Sequence, residues 1–179
     1  AIWSFAPEKV LAVRSEFAEP DLCQRLIRAL WRAARWLSQP SSATLASELL
    51  SQPQYLALSP ELLARAFQGR FIISPQGEPR VATGFVDFFS GVAGFPWRSQ
   101  AAWIGEQLAS RTGLDRETSA KAASATFRTD LYREALSGVA YDLPSASAKI
   151  EGALTAPTAV GSMGGRLILP RDTFFDGRI

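Results

Sequence analysis

Lys9 is the residue whose setting in the sequence points most directly to chemistry. It stands between Pro7-Glu8 and the apolar run Val10-Leu11-Ala12-Val13, with Trp3 and Phe5 a few positions upstream. The run Lys9–Val13 has the length of a short strand and is bounded by Pro7 and Glu16. A lysine at such a strand edge can aim its ammonium into a cleft walled by aromatic rings. A small inorganic anion has little apolar surface to bury. Its affinity must come from a paired positive charge and charge-assisted hydrogen bonds in a low-dielectric pocket. By spacing alone a plainer role outweighs this one: a surface lysine whose stem covers apolar area while its head stays in water.

Other residue sets carry less. Arg25, Arg28, Arg32 and Arg35 recur at spacings of three and four and so share a helix face. A basic stripe can hold phosphate or nucleic acid, but a solvated face opposite a Leu22/Leu26/Leu30 core stripe accounts for it better. Trp31 and Trp36 on the same helix fit core packing better than a cofactor platform. Gly161-Ser162-Met163-Gly164-Gly165 lacks the strand–loop–helix order, lysine and Ser/Thr of a phosphate-binding loop, which leaves a plain turn. Asp115 and Glu117 look like helix-start residues, not paired acids facing a cleft. With no histidine and one cysteine, Cys23, the sequence has no Ser-His-Asp triad, no Cys-His pair and no usual zinc ligand set. The expectation is no enzyme activity, no catalytic residue, no metal site and no cofactor.

The elements that must position these residues are mostly helical. Pro20-Asp21 opens a helix in which Leu22, Leu26, Ile27, Leu30, Ala33, Ala34 and Leu37 recur at helical spacing, ended by Pro40. A second helix is predicted from Ser42 or Ala43 to Leu50. A third starts at Ser59-Pro60-Glu61, with Ser59 as N-cap, and ends at Gly69. Phe71–Ser74 reads as a strand closed by the Pro75-Gln76-Gly77 turn. From Glu78 to Pro96, phenylalanines alternate with glycines and no long element is predicted. A fourth helix spans Ser99 to Arg111 with Gly113 as its stop. Glu117 to Gly138 holds one or two more, broken near Arg128-Thr129. A short helix from Ser145 to Leu154, the Gly161–Gly165 turn and a strand at Leu167–Leu169 follow. The fold class is mainly α with a few short β-strands (α+β), in one domain over residues 1–179.

Apolar residues make up 47% of the 179 and charged residues 20%, a globular composition without a run long enough to span a membrane. The net charge of +2 comes from arginines spread along the chain, since the nineteen basic residues include just Lys9, Lys121 and Lys149 as lysines. Dispersed charge of this size permits attraction of small anions but does not make a nucleic-acid footprint. The opening Ala1-Ile2-Trp3-Ser4-Phe5 without methionine and the closing Asp176-Gly177-Arg178-Ile179 suggest a piece of a longer protein. Strands so few and separated make a poor sheet alone, and exposed edges could pair between copies.

Two segments carry a family resemblance. Ile2-Trp3-Ser4 through Pro7-Glu8-Lys9-Val10-Leu11, and Phe95-Pro96-Trp97-Arg98-Ser99-Gln100-Ala101-Ala102-Trp103, resemble the nitrate- and bicarbonate-binding proteins of bacterial ABC importers. The intervening Leu49–Tyr55 piece is similar too, so the likeness covers most of residues 1 to about 140. The resemblance implies the C-terminal part of a two-lobed, periplasmic-binding-protein-like type II fold. It implies nitrate or nitrite as ligand and Lys9 as an anion-binding residue, with the remaining contacts upstream of Ala1. Some members bind calcium with bicarbonate, for which Glu8 is a candidate carboxylate. The Gly94–Arg98 context and Phe174–Ile179 resemble the cytoplasmic nitrate/nitrite sensors, which hold an RNA-binding antiterminator. The importer branch would instead be periplasmic and meet an ABC permease.

Overall fold

A computed structural model describes residues 4–82 and 84–177 of the chain. Among the described residues six α-helices dominate: α1 (Pro20–Leu37), α2 (Ala43–Leu50), α3 (Pro60–Phe67), α4 (Arg98–Thr112), α5 (Arg116–Thr126) and α6 (Thr129–Leu136). Four short strands among the same residues, β1 (Arg70–Ile72), β2 (Pro79–Val81), β3 (Thr158–Ala159) and β4 (Ile168–Leu169), form two antiparallel pairs. The mainly helical class expected from the sequence is what the chain adopts. It divides into two compact units, residues 31–90 and residues 1–30 with 91–179.

In the 31–90 unit, Ser59 caps α3 by accepting the Leu62 N–H at 3.2 Å, and Pro60 fills the first helical position. Gly69, at φ +65°, turns the chain from α3 into β1, where a Cβ would collide with the Ala82 carbonyl. β1 begins one residue before the predicted strand and pairs with β2, which the sequence did not announce, in the register Phe71↔Arg80. The irregular phenylalanine stretch is packing material: Trp31 meets Phe89, Phe67 meets Phe88 and Phe71 meets Phe85, with ring centroids 5.3, 6.3 and 4.4 Å apart.

In the other unit, Asp115 caps α5 by accepting the Thr118 N–H at 2.8 Å, as expected of a helix-start residue. Gly113, left-handed at φ 72°, ends α4. Gly105 lets α4 and α5 approach, because a Cβ there would stand 2.6 Å from that of Ala123. Phe95, Trp97 and Leu169 form the buried core, with Val92, Tyr132, Leu154, Val160 and Leu167 against it.

Three expectations need correction. Residues 9–13 form no strand: Val10, Leu11 and Val13 stay exposed, and β1 to β4 pair with one another, leaving this run no described edge. Nor is there a helix over Ser145–Leu154. The Arg133 guanidinium takes the carbonyls of Pro144, Ser145 and Ala146 at 2.9, 3.1 and 2.6 Å, and the Ser147 carbonyl accepts the Arg98 N–H, so the acceptors of a first turn are already engaged. Leu22, Leu26 and Leu30 are exposed, not core, and none of the described residues of α1 is buried. The half-buried side is Cys23, Gln24, Ile27 and Arg28, rotated by about one residue from the leucine stripe.

Candidate functional site

Lys9 lies on an arm anchored at its root. The Ser4 N–H donates to the Thr173 carbonyl at 3.2 Å and the Phe5 N–H to Asp172 Oδ1 at 3.1 Å. Beyond them the chain runs without regular structure to a short turn at Ser15–Phe17. Glu8 and Lys9 are exposed, and among the described residues the Lys9 ammonium has neither a hydrogen-bond nor an ion-pair partner. Phe5 is half-buried, while Ile2, Trp3, Arg178 and Ile179 lie outside the described residues. The aromatic-walled cleft is therefore not assembled around Lys9 by the described residues. A lone, solvated ammonium holds a monovalent anion weakly, so a site here needs further donors.

The charge that is buried belongs to Lys149. Its Nζ reaches Glu151 Oε2 at 2.5 Å and Asp172 Oδ2 at 2.9 Å, with the three side chains 14%, 6% and 5% exposed. Ser99 Oγ donates to Glu151 Oε1 at 2.7 Å and accepts the Lys149 N–H at 3.0 Å. The Trp97 ring lies 5.9 Å from the ammonium. Two carboxylates on one ammonium leave a net charge of −1, which the Ser99 hydroxyl and the Phe5 N–H offset as donors. Such a cluster repels an anion, so its role is to join the Trp97–Ser99 element, the 149–151 segment and Asp172. Sequence reasoning missed it. The signal available was the Lys149-x-Glu151 pair, set in a segment with no helical apolar face, downstream of the motif that contains Trp97 and Ser99.

Arg25, Arg28, Arg35 and the glycine-rich turn are absorbed by structure. Arg25 pairs with Asp21 at 3.1 Å, and Arg28 donates to the Ala135 carbonyl at 2.6 Å, stoppering the C-terminal end of α6. Arg35 stacks over Trp31 at 5.7 Å. Gly161–Gly165 closes on an anion of the chain itself: Asp142 accepts from Ser162 Oγ, the Gly164 N–H and the Arg166 N–H at 2.7, 2.6 and 3.0 Å. Burial works to raise the Asp142 pKa, but these bonds outweigh it and hold the group below its ordinary 3.8. A carboxyl depressed in the folded state lends stability that is complete above its unfolded value and is lost as pH falls below it. Thermal melts of the protein should therefore drop in acid below 3.8, and Asp142→Asn should melt lower at pH 7 with a flatter acid limb. An unchanged limb in the variant would remove Asp142 as a cause.

No protein-family model matches the chain. In sequence it is 26% identical over 153 residues to the nitrate/nitrite binding protein NrtA of Synechococcus elongatus, an alignment covering 83% of this chain and 34% of that protein. The chain is homologous to NrtA. In structure it matches the crystal structure of the periplasmic nitrate-binding protein NrtA from Synechocystis PCC 6803 with a TM-score of 0.65 at 18% identity, over 73% of this chain and 35% of that one.

The fold is accordingly that of part of a periplasmic-binding-protein-like molecule. The chain spans about a third of the length of either NrtA.

Proposed function

We propose that the chain supplies one part of a nitrate/nitrite-binding site within a longer receptor, with the Lys9 ammonium as its anion contact. The observation that carries this is the similarity to the Synechococcus elongatus nitrate/nitrite binding protein, which extends over 83% of the chain. Lys9 supports it as an unpaired ammonium, among the described residues, on an anchored arm. The role is binding, without bond-making chemistry. Closure of a two-lobed molecule around the anion would shift its population toward a state that a partner reads.

The branch we favour is the cytoplasmic sensor that holds an antiterminator until the anion arrives, on the likeness of Gly94–Arg98 and Phe174–Ile179 to that group. The importer subunit is the alternative, favoured by the periplasmic description of the Synechocystis relative. Pull-downs with and without nitrate separate them, since anion-sensitive capture of an antiterminator marks the sensor and capture of a permease marks the importer.

The site itself is tested by calorimetric titration of nitrate, nitrite and bicarbonate into the protein at its full natural length and into Lys9→Ala. A hydrogen bond to a charged group is worth about 1.5–3 kcal/mol, so the variant should bind nitrate about tenfold to a hundredfold more weakly. Undiminished binding removes Lys9 from the site.

A further inference from the structure

We infer that Asp172 is the positioning residue for Lys9, on the footing that Lys9 meets the anion as proposed above. The arm that carries Lys9 has two backbone anchors near its root, the Phe5 N–H on Asp172 Oδ1 and the Ser4 N–H on the Thr173 carbonyl. Phe5 is four residues from Lys9, and Pro7 between them fixes one φ angle, so the anchor limits how far the ammonium can travel. A charged acceptor makes the Phe5 bond stronger than a neutral one would.

The anchor is itself immobilised from three sides. Asp172 exchanges backbone hydrogen bonds with Leu154, donating at 2.8 Å and accepting at 3.2 Å. Its second carboxylate oxygen is held by Lys149, which Glu151 and Ser99 hold in turn. Two residues on, Phe174 stacks on Trp103 of α4 with centroids 5.8 Å apart and covers Gly152, where no Cβ would fit. The buried cluster thus transmits the rigidity of α4 and the Trp97 core to an exposed arm with no regular structure of its own. A group held this way loses less freedom when it captures a ligand.

Substitution at Asp172 can be tested without dismantling the fold, because Lys149 keeps Glu151 as a counter-ion and the cluster becomes neutral. Asp172→Ala removes the acceptor for Phe5, whereas Asp172→Asn keeps one carbonyl oxygen, for which the Phe5 N–H and the Lys149 ammonium compete. Backbone amide exchange should be about tenfold faster at Phe5 in the alanine variant and partly restored in the asparagine variant. In nitrate titrations of the full-length protein, Asp172→Ala should weaken binding severalfold, with partial rescue by Asp172→Asn and no further loss on a Lys9→Ala background. Equal losses on both backgrounds, or unaltered Phe5 exchange, would overturn the assignment. If Lys9→Ala alone leaves nitrate binding intact, the functional proposal fails. Phe5 exchange then still separates a true tether, where it accelerates, from no tether, where it does not.

Discussion

Lys149→Met should lower the stability of the chain by about 3–5 kcal/mol, the cost of breaking a buried ion cluster by removing one sign of charge. Methionine matches the lysine stem in length, so the packing beside Trp97 survives and the loss is electrostatic. What remains is Glu151 and Asp172, two carboxylates each no more than 6% exposed, with a hydroxyl and a backbone N–H as their donors. Neither donor carries a full charge. Desolvation and mutual repulsion then act on two buried charges without a counter-ion. Urea midpoints at constant slope measure the deficit. Glu151→Gln with Asp172→Asn on the Lys149→Met background should recover most of it, because polar amides replace the unpaired charges. A loss under about 1 kcal/mol, typical of an exposed pair, would mean that water screens the cluster.

The elements legible in the sequence are those whose signals are local. Ser59-Pro60, Asp115 and Gly113 mark helix ends by capping chemistry contained within four residues, and the chain obeys each. The segments that mislead are those decided by distant partners. Residues 9–13 have strand-like composition, but a strand exists through its ladder, and no described strand lies alongside. Residues 145–154 have helix-compatible composition, yet Arg133, eleven residues before Pro144, captures the carbonyls first. On α1 the periodicity locates an apolar stripe without saying what it meets, and Arg28, placed by pattern on a solvated face, turns inward to α6.

The candidate site divides along the same line. Lys9 is visible because its neighbours in sequence are unusual and because the resemblance passes through it. Lys149, Glu151 and Asp172 are not, because their meaning is a contact across 23 residues. Trp97 and Ser99 stand out in the sequence as parts of a motif, and the structure gives that motif a physical role, which is to present a ring and a hydroxyl to the buried ammonium and its carboxylates.

Phe95→Ala should cost about 3–5 kcal/mol, the range for deleting a buried aromatic side chain. Phe95 is 2% exposed and lies at the centre of the core cluster, edge-on to Trp97 at 4.8 Å and to Tyr132 at 5.6 Å. The Arg133 guanidinium sits 5.1 Å from the ring while holding the 144–147 segment, so the ring also seats the residue that fastens the tail. Truncation leaves a void bordered by Trp97, over which the Lys149 ammonium lies, and by Tyr132 of α6. Phe95→Leu, which refills much of the volume, should cost less than half as much. Tyr132 reports which outcome occurs, because burial pushes its phenol up to about 12 in the intact core. Where the alanine void admits water, that desolvation is relieved and the phenol should titrate nearer 10, its ordinary value. A spectrophotometric tyrosinate titration reads this independently of the denaturation midpoint. A large stability loss with the Tyr132 titration still near 12 would mean that the cavity stays dry. Loss of both stability and the high phenol pKa would mean that the Phe95 ring is what keeps solvent out of the cluster joining α6, Trp97 and the tail.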